Sequence, residues 1–209
     1  MARYIGPVCR LCRREGMKLY FKGPKCYTAK CPFEKRPFPP GKTAATSQRR
    51  RRISDYGLRL REKQKLRSVY GVLERQFRIY FAEAVRRKGH TGQTLLQLLE
   101  TRLDNVVFRV GLGRSRSEAR QVVRHGHITV DGRRVDIPSF QVRPGHVVRL
   151  AESSAAHPGV KAALGQARRT PAWLEAQDGN LAAKVLALPT RDQIDTPISE
   201  HLIIEYYAR

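Results

Sequence analysis

The chain has 209 residues, of which 41% are apolar, enough for one large or two small domains with modest cores. Its 41 Lys and Arg residues outnumber 18 Asp and Glu, and the net charge of +23 indicates a polyanionic partner, either nucleic acid or an anionic membrane. No run of 18 apolar residues could span a bilayer and no apolar secretory segment begins the chain, which excludes an integral membrane protein and predicts a cytoplasmic one.

The positive charge is unevenly distributed along the chain. Residues 1–70 contain 20 basic and 4 acidic residues, residues 71–150 contain 15 and 7, and residues 151–209 contain 6 and 7. Because a polyanion is attracted where positive charge is dense, we expect it to contact the first two thirds of the chain. The remaining residues are expected to serve as scaffold.

All four cysteines lie near the start of the chain, at Cys9, Cys12, Cys26 and Cys31. The spacing is C-x2-C, thirteen residues and C-x4-C, so that each pair could supply one side of a tetrahedral structural metal site. Zn²⁺ is the predicted cofactor. An iron–sulfur cluster is the alternative because Pro32 follows the last cysteine, as in ferredoxin motifs, and unligated thiols or disulfides are a third. Flanking Arg and Lys residues are expected to lower the pKa of the thiols.

Basic and aromatic residues fill the rest of residues 1–46, which we interpret as a metal-held N-terminal extension. Arg13 and Arg14 follow the first cysteine pair, and the run Arg49–Arg52 follows a Pro-rich stretch. We interpret this run as a phosphate-binding arm, with a solvated tail as the alternative.

The aromatic residues that interleave with the basic residues of the extension have two explanations. Base stacking and core packing account for them equally well. These are Tyr4, Tyr20, Phe21, Tyr27, Phe33 and Phe38.

Helical periodicity begins at Ser54. The pattern predicts one helix to about Tyr70, a second over 72–87 and a third, with a wide Leu/Val stripe, over 93–111. The first of these helices carries further candidate contacts for a polyanion, at Lys63, Lys65 and Arg67.

The next helix is the strongest candidate for a nucleic-acid contact. Ser115-Arg116-Ser117-Glu118 fits a capping box, and Gly126 is placed to end the helix in a left-handed conformation. Arg116, Arg120 and Arg124 then lie on one face, with Ala and Val residues beside them to pack against the preceding helix. A row of guanidinium groups suits phosphate binding, although a solvated basic face is the simpler alternative.

Residues after Gly126 alternate with a period of two. Residues 127–135 predict a hairpin around Asp131-Gly132, and 140–143 and 146–150 predict two further strands around a Pro-Gly turn. Residues 151–170 are expected to form a partly helical excursion, and 200–207 a final strand or packed tail. Together these elements predict an α+β fold.

Enzyme signatures are missing from the sequence. We find no P-loop, no dinucleotide-binding glycine pattern, no G-x-S-x-G and no H-E-x-x-H, and the acidic residues are too scattered to nominate a catalytic pair. The sequence therefore predicts a protein that is not an enzyme.

The stretch "RLDNVVFRVGLGRSRSEARQVVRHGHITVDGRRVDIPSF" resembles the small RNA-binding module of the bacterial small-subunit ribosomal protein four family. The resemblance extends to "EKQKLRSVYGVLERQFR", "RYIGPVCRLCRREG" and "IIEYY", and so covers nearly the whole chain, in the four-cysteine form. It departs from the family at residues 42–46 and is poor at 151–170.

The resemblance implies an α+β architecture in which a helical domain packs against a helix-loop-helix and antiparallel-sheet RNA-binding domain. The implied domains are the extension 1–46, a helical domain 47–95 with residues 198–209 packing back on it, and the RNA-binding domain 96–197. The module's RNA face falls on Arg114, Ser115, Arg116, Arg120, Arg124, His125, Arg133 and Arg134. The complete set of predicted RNA contacts adds Arg13, Arg14, Arg49, Arg50, Arg51, Arg52, Lys63, Lys65 and Arg67.

The implied function is that of a structural constituent of the small ribosomal subunit. Family members bind the 5′ domain of small-subunit rRNA directly and early in assembly, beside the third and fifth proteins of the subunit and near the mRNA entry channel. They influence translational accuracy, and in some bacteria they repress their own mRNA. The competing hypotheses are an RNA-modifying or tRNA-charging enzyme that uses the same module, which would need a further catalytic domain, and a free RNA chaperone or repressor.

Overall fold

The computed structural model describes residues 3–41, 53–154, 158–164 and 170–208. Its helices are α1 (Cys9–Glu15), α2 (Pro32–Lys35), α3 (Asp55–Val69), α4 (Glu74–Arg86), α5 (Thr91–Glu100), α6 (Leu103–Val110), α7 (Arg116–Arg124), α8 (Pro158–Leu164) and α9 (Glu200–Tyr207). Its strands are β1 (Ile128–Val130), β2 (Arg133–Arg134), β3 (Val147–Leu150), β4 (Leu174–Gln177) and β5 (Ala182–Val185). The α+β prediction is confirmed. Over the described residues, no helix combines the length and apolarity needed to cross a bilayer.

The chain divides into two compact units. Unit 1 comprises Met1–Ala82 and Pro197–Arg209, and unit 2 comprises Glu83–Thr196. Unit 1 is therefore discontinuous in sequence, because its two segments are separated by the whole of unit 2.

In unit 1 the helix α9 packs against α3. Arg59 Nε lies 2.7 Å from a Glu205 carboxylate oxygen, and the backbone N–H of Ser199 donates to Glu62. Ile203 is fully buried on the packed face. The alternative of a final strand at 200–207 is wrong, because packing on α3 favours a helical turn over the β-propensity of the Ile and Tyr residues.

A cluster of polar side chains joins α9 to the helices before it. Lys63 Nζ lies 2.8 Å from Glu74 Oε1 and 4.4 Å from the centre of the Tyr206 ring. The Tyr207 hydroxyl donates to the same Glu74 oxygen at 3.1 Å. We call Lys63, Glu74, Tyr206 and Tyr207 the C-terminal clamp.

In unit 2 the predicted single helix over 93–111 is two helices, α5 and α6. Between them Arg102 is extended, with φ −66° and ψ 137°, and pairs as an isolated bridge with Gln141. The Leu103 N–H donates to the Phe140 carbonyl, and the Thr101 carbonyl accepts from Val142. The predicted strand at 140–143 is therefore also wrong: this segment pairs only locally, with the break between the helices.

A buried ion pair ties α5 to α6. Glu100 is fully buried, and its carboxylate accepts two hydrogen bonds from the Arg109 guanidinium, at 2.6 and 3.0 Å, and one from the Asn105 amide at 2.6 Å. Arg109 also contacts Asp195 at 2.8 Å. Removing one partner of such a pair typically costs about 3–5 kcal/mol, because the other charge is left buried.

The sheet of unit 2 is antiparallel, with strand order β2-β1-β3-β5-β4. The predicted hairpin is confirmed: Val130 pairs with Arg133, and the turn residues Asp131 and Gly132 have φ of 49° and 79°, as the tight hairpin turn requires. Strands β4 and β5 were not predicted, because their sequences, LEAQ and AAKV, lack an alternating pattern of β-branched or aromatic residues.

The core of unit 2 lies between the sheet and the helices α6 and α7. Ala119, Val122 and Val123 of α7 are buried in it, as their spacing predicted. This packing fixes the side of α7 that faces away from the core, and leaves Arg124 exposed. The other main core residues are Leu103, Val106, Val107, Val110, Ile128, Val148, Leu150, Trp173 and Val185.

Candidate nucleic-acid interface

The candidate interface is built on α7, whose two ends are defined by capping residues. At its start the Ser115 hydroxyl accepts from the Glu118 N–H at 3.3 Å, which confirms Ser115 as the N-cap. The Glu118 carboxylate accepts from the backbone N–H and the guanidinium of Arg114. The reciprocal half of the predicted capping box is thus displaced by one residue. At the other end Gly126 has φ 75°, as predicted.

Two of the three arginines in the predicted row are tied to α6. Arg120 Nη1 lies 2.7 Å from an Asp104 carboxylate oxygen that also binds Arg102. Arg116 Nε donates to the Asn105 side-chain carbonyl at 2.9 Å, and its guanidinium lies 4.5 Å from the centre of the Phe108 ring. These contacts make Arg116 and Arg120 links between helices as well as cationic residues.

The partners of these arginines were missed in the sequence. Asp104 and Asn105 interrupt the apolar stripe of the predicted helix, and both are buried in the structure. A buried polar side chain needs a hydrogen-bond partner, so this interruption is the signal that could have predicted a link to α7.

Four exposed basic residues lie at the end of α7 and on the edge strand β2, which Arg134 connects to the helix end. Arg124 and His125 close the helix, and Arg133 and Arg134 form the edge strand β2, and all four are exposed. Arg134 lies over Gly126, where its Nη2 is 3.5 Å from the His125 carbonyl oxygen. We call Arg124, His125, Arg133 and Arg134 the arginine corner.

The charges of the arginine corner are available to a ligand. Arg124 and Arg133 have no ion-pair partner among the described residues. Arg114, at the opposite end of α7, is also exposed, but Glu118 holds its guanidinium at 2.9 Å. The strongest uncompensated positive charge of the predicted RNA face therefore lies at the corner.

The predicted contacts on α3 are placed differently. Lys63 and Lys65 are buried, with their ammonium groups 2.8 Å from Glu74 and 2.6 Å from Glu62. Arg67 is half-buried and 3.5 Å from Glu74. Their role in RNA binding stays a prediction. In the structure each of these three side chains forms an ion pair with a carboxylate of unit 1.

The remaining predicted RNA contacts belong to the N-terminal segment. Arg13 donates to the Phe38 carbonyl at 2.9 Å, and its guanidinium lies 5.1 Å from the Phe38 ring, whereas Arg14 is exposed. The run Arg49–Arg52 lies outside the described residues.

The four cysteines are free thiols, and Cys12, Cys26 and Cys31 are buried. Burial raises the pKa of Cys12 and of Cys26, and the neighbouring thiols add to the effect. The expectation that basic neighbours lower the pKa is thus wrong for these two, because loss of water outweighs the backbone hydrogen bond at each thiol and, at Cys26, the charge of Lys18 as well. Four sulfur donors suit a structural metal. However, in the part of the chain that the structure describes, no three Cys, His, Asp or Glu side chains are arranged to hold one.

Comparison with known proteins gives two family matches and many close relatives. The model described as "Ribosomal protein S4/S9 N-terminal domain" matches residues 3–100, and the "S4 domain" model matches residues 101–148. The small ribosomal subunit protein uS4 of Pelotomaculum thermopropionicum is 57% identical over 211 aligned residues, which cover 100% of both chains. The proteins uS4A of Symbiobacterium thermophilum and uS4 of Dictyoglomus turgidum are 58% and 56% identical, also over the full length of both chains.

Proposed function

The chain belongs to the ribosomal protein S4 family, and on that premise we propose that its arginine corner binds the phosphate backbone of small-subunit rRNA. The protein is a structural constituent of the small ribosomal subunit, is located on the ribosome and is not an enzyme. The proposal concerns how it holds its RNA.

The observation that carries the proposal is the exposure of the arginine corner beside the end of the packed helix α7. Guanidinium groups bind phosphate in a fork geometry, and a packed scaffold holds them in position without further ordering. Arg116 and Arg120 contribute by linking α7 to α6, so that Arg124 projects from a helix that is packed against its neighbour. We further propose that the RNA is the 5′ domain and that binding occurs early in subunit assembly, in line with the family.

A salt titration of RNA binding tests this proposal. Arg133→Gln combined with Arg134→Gln should weaken binding to a 5′-domain rRNA fragment and lower the slope of log affinity against log salt by about 2, since each phosphate contact contributes about one unit. Arg143→Gln with Lys184→Gln is the control matched in charge, because both residues are exposed in unit 2 and neither belongs to the corner. Equal effects of the two pairs would contradict a localised site.

We also propose the finer placement in the subunit that the family suggests. The protein would lie beside the third and fifth small-subunit proteins near the mRNA entry channel, and would affect decoding accuracy. A high-salt wash separates this placement from a free RNA chaperone or repressor: a subunit constituent stays with the particle, whereas a free protein is removed.

For the N-terminal extension we propose a structural Zn²⁺ held by Cys9, Cys12, Cys26 and Cys31, with an iron–sulfur cluster as the alternative. The spacing of the two cysteine pairs and the burial of three thiols support this. Such a metal would supply folding energy to a segment whose other buried apolar residues are few.

Metal analysis of protein purified without air distinguishes the two metals. A colourless protein with one zinc per chain supports zinc, and a brown protein with iron and labile sulfide supports the cluster. Cys26→Ser should lose the metal and the order of the extension, while α5–α7 stay folded. Absence of both metals from freshly purified protein would contradict the proposal.

A further inference from the structure

Tyr20 and Tyr27 form a stacked aromatic pair on the surface of the N-terminal extension. Their ring centres are 4.9 Å apart and their planes lie at 27°, yet the residues are 44% and 73% exposed. Aromatic side chains that serve a core are removed from water, because that removal supplies most of their packing energy. These two rings contact each other but remain largely open to solvent.

The backbone presents this pair in a defined way. Tyr20 has φ 54°, a left-handed conformation that a bulky residue rarely adopts, and the short helical turn Gly23–Tyr27 returns the chain so that the second ring meets the first. Leu19, immediately before, is buried. Leu19 therefore lies in the core, whereas the next residue, Tyr20, lies on the surface.

Positive charge lies near the pair, on the segment that joins Tyr20 to Tyr27. Lys22 and Lys25 are both exposed, and neither has a carboxylate partner among the described residues. An open hollow of about 460 Å³ lies beside the Tyr27 ring, with polar and charged groups on its wall. Its lining residues are Tyr27, Thr28, Ala29, Glu34 and Lys35.

We propose that Tyr20 and Tyr27 form a stacking platform for an unpaired base of RNA, with Lys22 and Lys25 on the adjoining phosphates. The proposal rests on the RNA-binding function proposed above, but it names a second site on residues separate from the arginine corner. The partner is single-stranded, because the bases of an RNA duplex are stacked on one another and offer no free face.

Substitutions at Tyr27 test the platform in the full-length protein. The probes are a single-stranded oligonucleotide of about twelve nucleotides and a 5′-domain rRNA fragment. Tyr27→Leu should weaken oligonucleotide binding about tenfold, since a base–aromatic stack is worth about one to two factors of ten. Tyr27→Phe should retain binding because it keeps the ring. Tyr4→Leu is the matched control, because Tyr4 is 48% exposed in the same extension.

A fluorescence measurement gives a second readout. Tyr27→Trp places an indole on the platform, and its emission should be quenched when the single strand binds but not when an RNA duplex of the same length is added. Trp173, the only native Trp, is buried and belongs to unit 2, so its background signal is measured in the unsubstituted protein. The metal content of each variant is compared with the unsubstituted chain, because Cys26 adjoins Tyr27.

The outcomes separate this inference from the proposed function. Unchanged oligonucleotide binding by Tyr27→Leu, an equal loss in Tyr4→Leu, or equal quenching by duplex RNA would overturn the platform. Failure of the Arg133 and Arg134 substitutions to weaken binding to the rRNA fragment would instead overturn the arginine corner. Loss of oligonucleotide binding confined to Tyr27→Leu, at normal metal content, supports the platform in either case.

Discussion

At the scale of single residues, Gly126 has two reasons to be glycine. Its φ of 75° is unfavourable for any L side chain, and a Cβ at this position would clash with the Arg134 guanidinium group. The missing side chain therefore provides the surface on which Arg134 rests. Gly132, in the hairpin turn, has a similar φ of 79°, but nothing lies within 4 Å of its missing Cβ.

This contrast gives a matched pair of substitutions. Gly126→Ala and Gly132→Ala should each destabilise the protein by about 1–2 kcal/mol in urea unfolding, because both force alanine into a left-handed backbone. Only Gly126→Ala should also displace Arg134 and weaken binding to the rRNA fragment at moderate salt. Equal RNA affinities for the two variants would show that Gly126 does not position the guanidinium.

The residue scale also shows what a single sequence can predict about a site. The placement of Arg124 on an exposed helix end followed from helical spacing and from Gly126 alone. The internal partners of Arg120 and Lys63 did not, because Asp104 and Glu74 belong to other helices and are brought near only by tertiary packing. Charge runs predict that a surface is basic, but they do not predict which cations are already paired.

At the scale of elements, the N-cap of α7 stabilises the start of this helix through one side-chain hydrogen bond. Ser115→Ala removes the hydroxyl that accepts from the Glu118 N–H and should cost about 1 kcal/mol in the free energy of unfolding. Ser199→Ala is the control, because Ser199 precedes α9 without a side-chain cap bond. Its midpoint in urea should be nearly unchanged; a loss as large as that of Ser115→Ala would contradict the capping argument.

The C-terminal clamp makes the stability of unit 1 depend on pH. Burial alone would raise the pKa of Glu74, but the hydrogen bond and charge of Lys63, the hydrogen bond of Tyr207 and the charge of Arg67 outweigh it and lower the pKa below its ordinary 4.5. The stabilisation is thus present above that value and is lost as the pH falls through the lowered pKa. The pKa of Glu15, near Arg61, shifts in the opposite direction. Burial raises this pKa, so the ionisation of Glu15 opposes folding.

Two substitutions test these opposite signs. Glu74→Gln should destabilise the protein at pH 7 by about 2 kcal/mol or more, because Lys63 loses its charged partner, and should lessen the loss of stability between about pH 5 and 3. Glu15→Gln should cost little at pH 7 and should leave the acid loss due to Glu74 in place. The measurement is urea unfolding across this pH range. If the free energy of unfolding fell less towards acid pH in Glu15→Gln than in Glu74→Gln, the assignment of the acid loss to Glu74 would be contradicted.

Element types followed from periodicity where one side of a segment faces the core and the other faces solvent. α3, α4, α7 and the first hairpin were predicted for this reason. The break between α5 and α6 was not, because an apolar stripe continues through both helices and only the pairing of Arg102 with Gln141 interrupts the backbone. β5 and α9 were missed or misassigned because long-range neighbours decide their conformation: β3 pairs with β5, and α3 packs on α9.

At the scale of the whole molecule, the net charge of +23 has opposite effects on the free and the RNA-bound protein. In the free protein like charges repel, and the compact state concentrates them. The buried ion pairs, such as Glu100 with Arg109, are screened little by salt. The exposed cations of the corner are screened strongly.

We therefore expect the melting temperature of the free protein to rise when KCl is increased from about 0.05 to 0.5 M, over which the Debye length falls from about 14 to 4 Å. Over the same range the affinity for the rRNA fragment should fall by several factors of ten. Scanning calorimetry and filter binding measure the two quantities. A melting temperature that falls with salt would show that surface ion pairs, rather than repulsion, dominate the free protein.

The discontinuity of unit 1 has a consequence for biosynthesis. A nascent chain leaves the exit tunnel from its N-terminus, so the contiguous residues of unit 2 can fold before α9 has emerged. Until then α3 lacks the partner that supplies Glu205 and Tyr207, and Lys63 lacks part of its clamp. A translation product that stops before Pro197 would therefore carry a complete unit 2 beside an open unit 1. Such a chain would present unprotected apolar surface to chaperones and proteases.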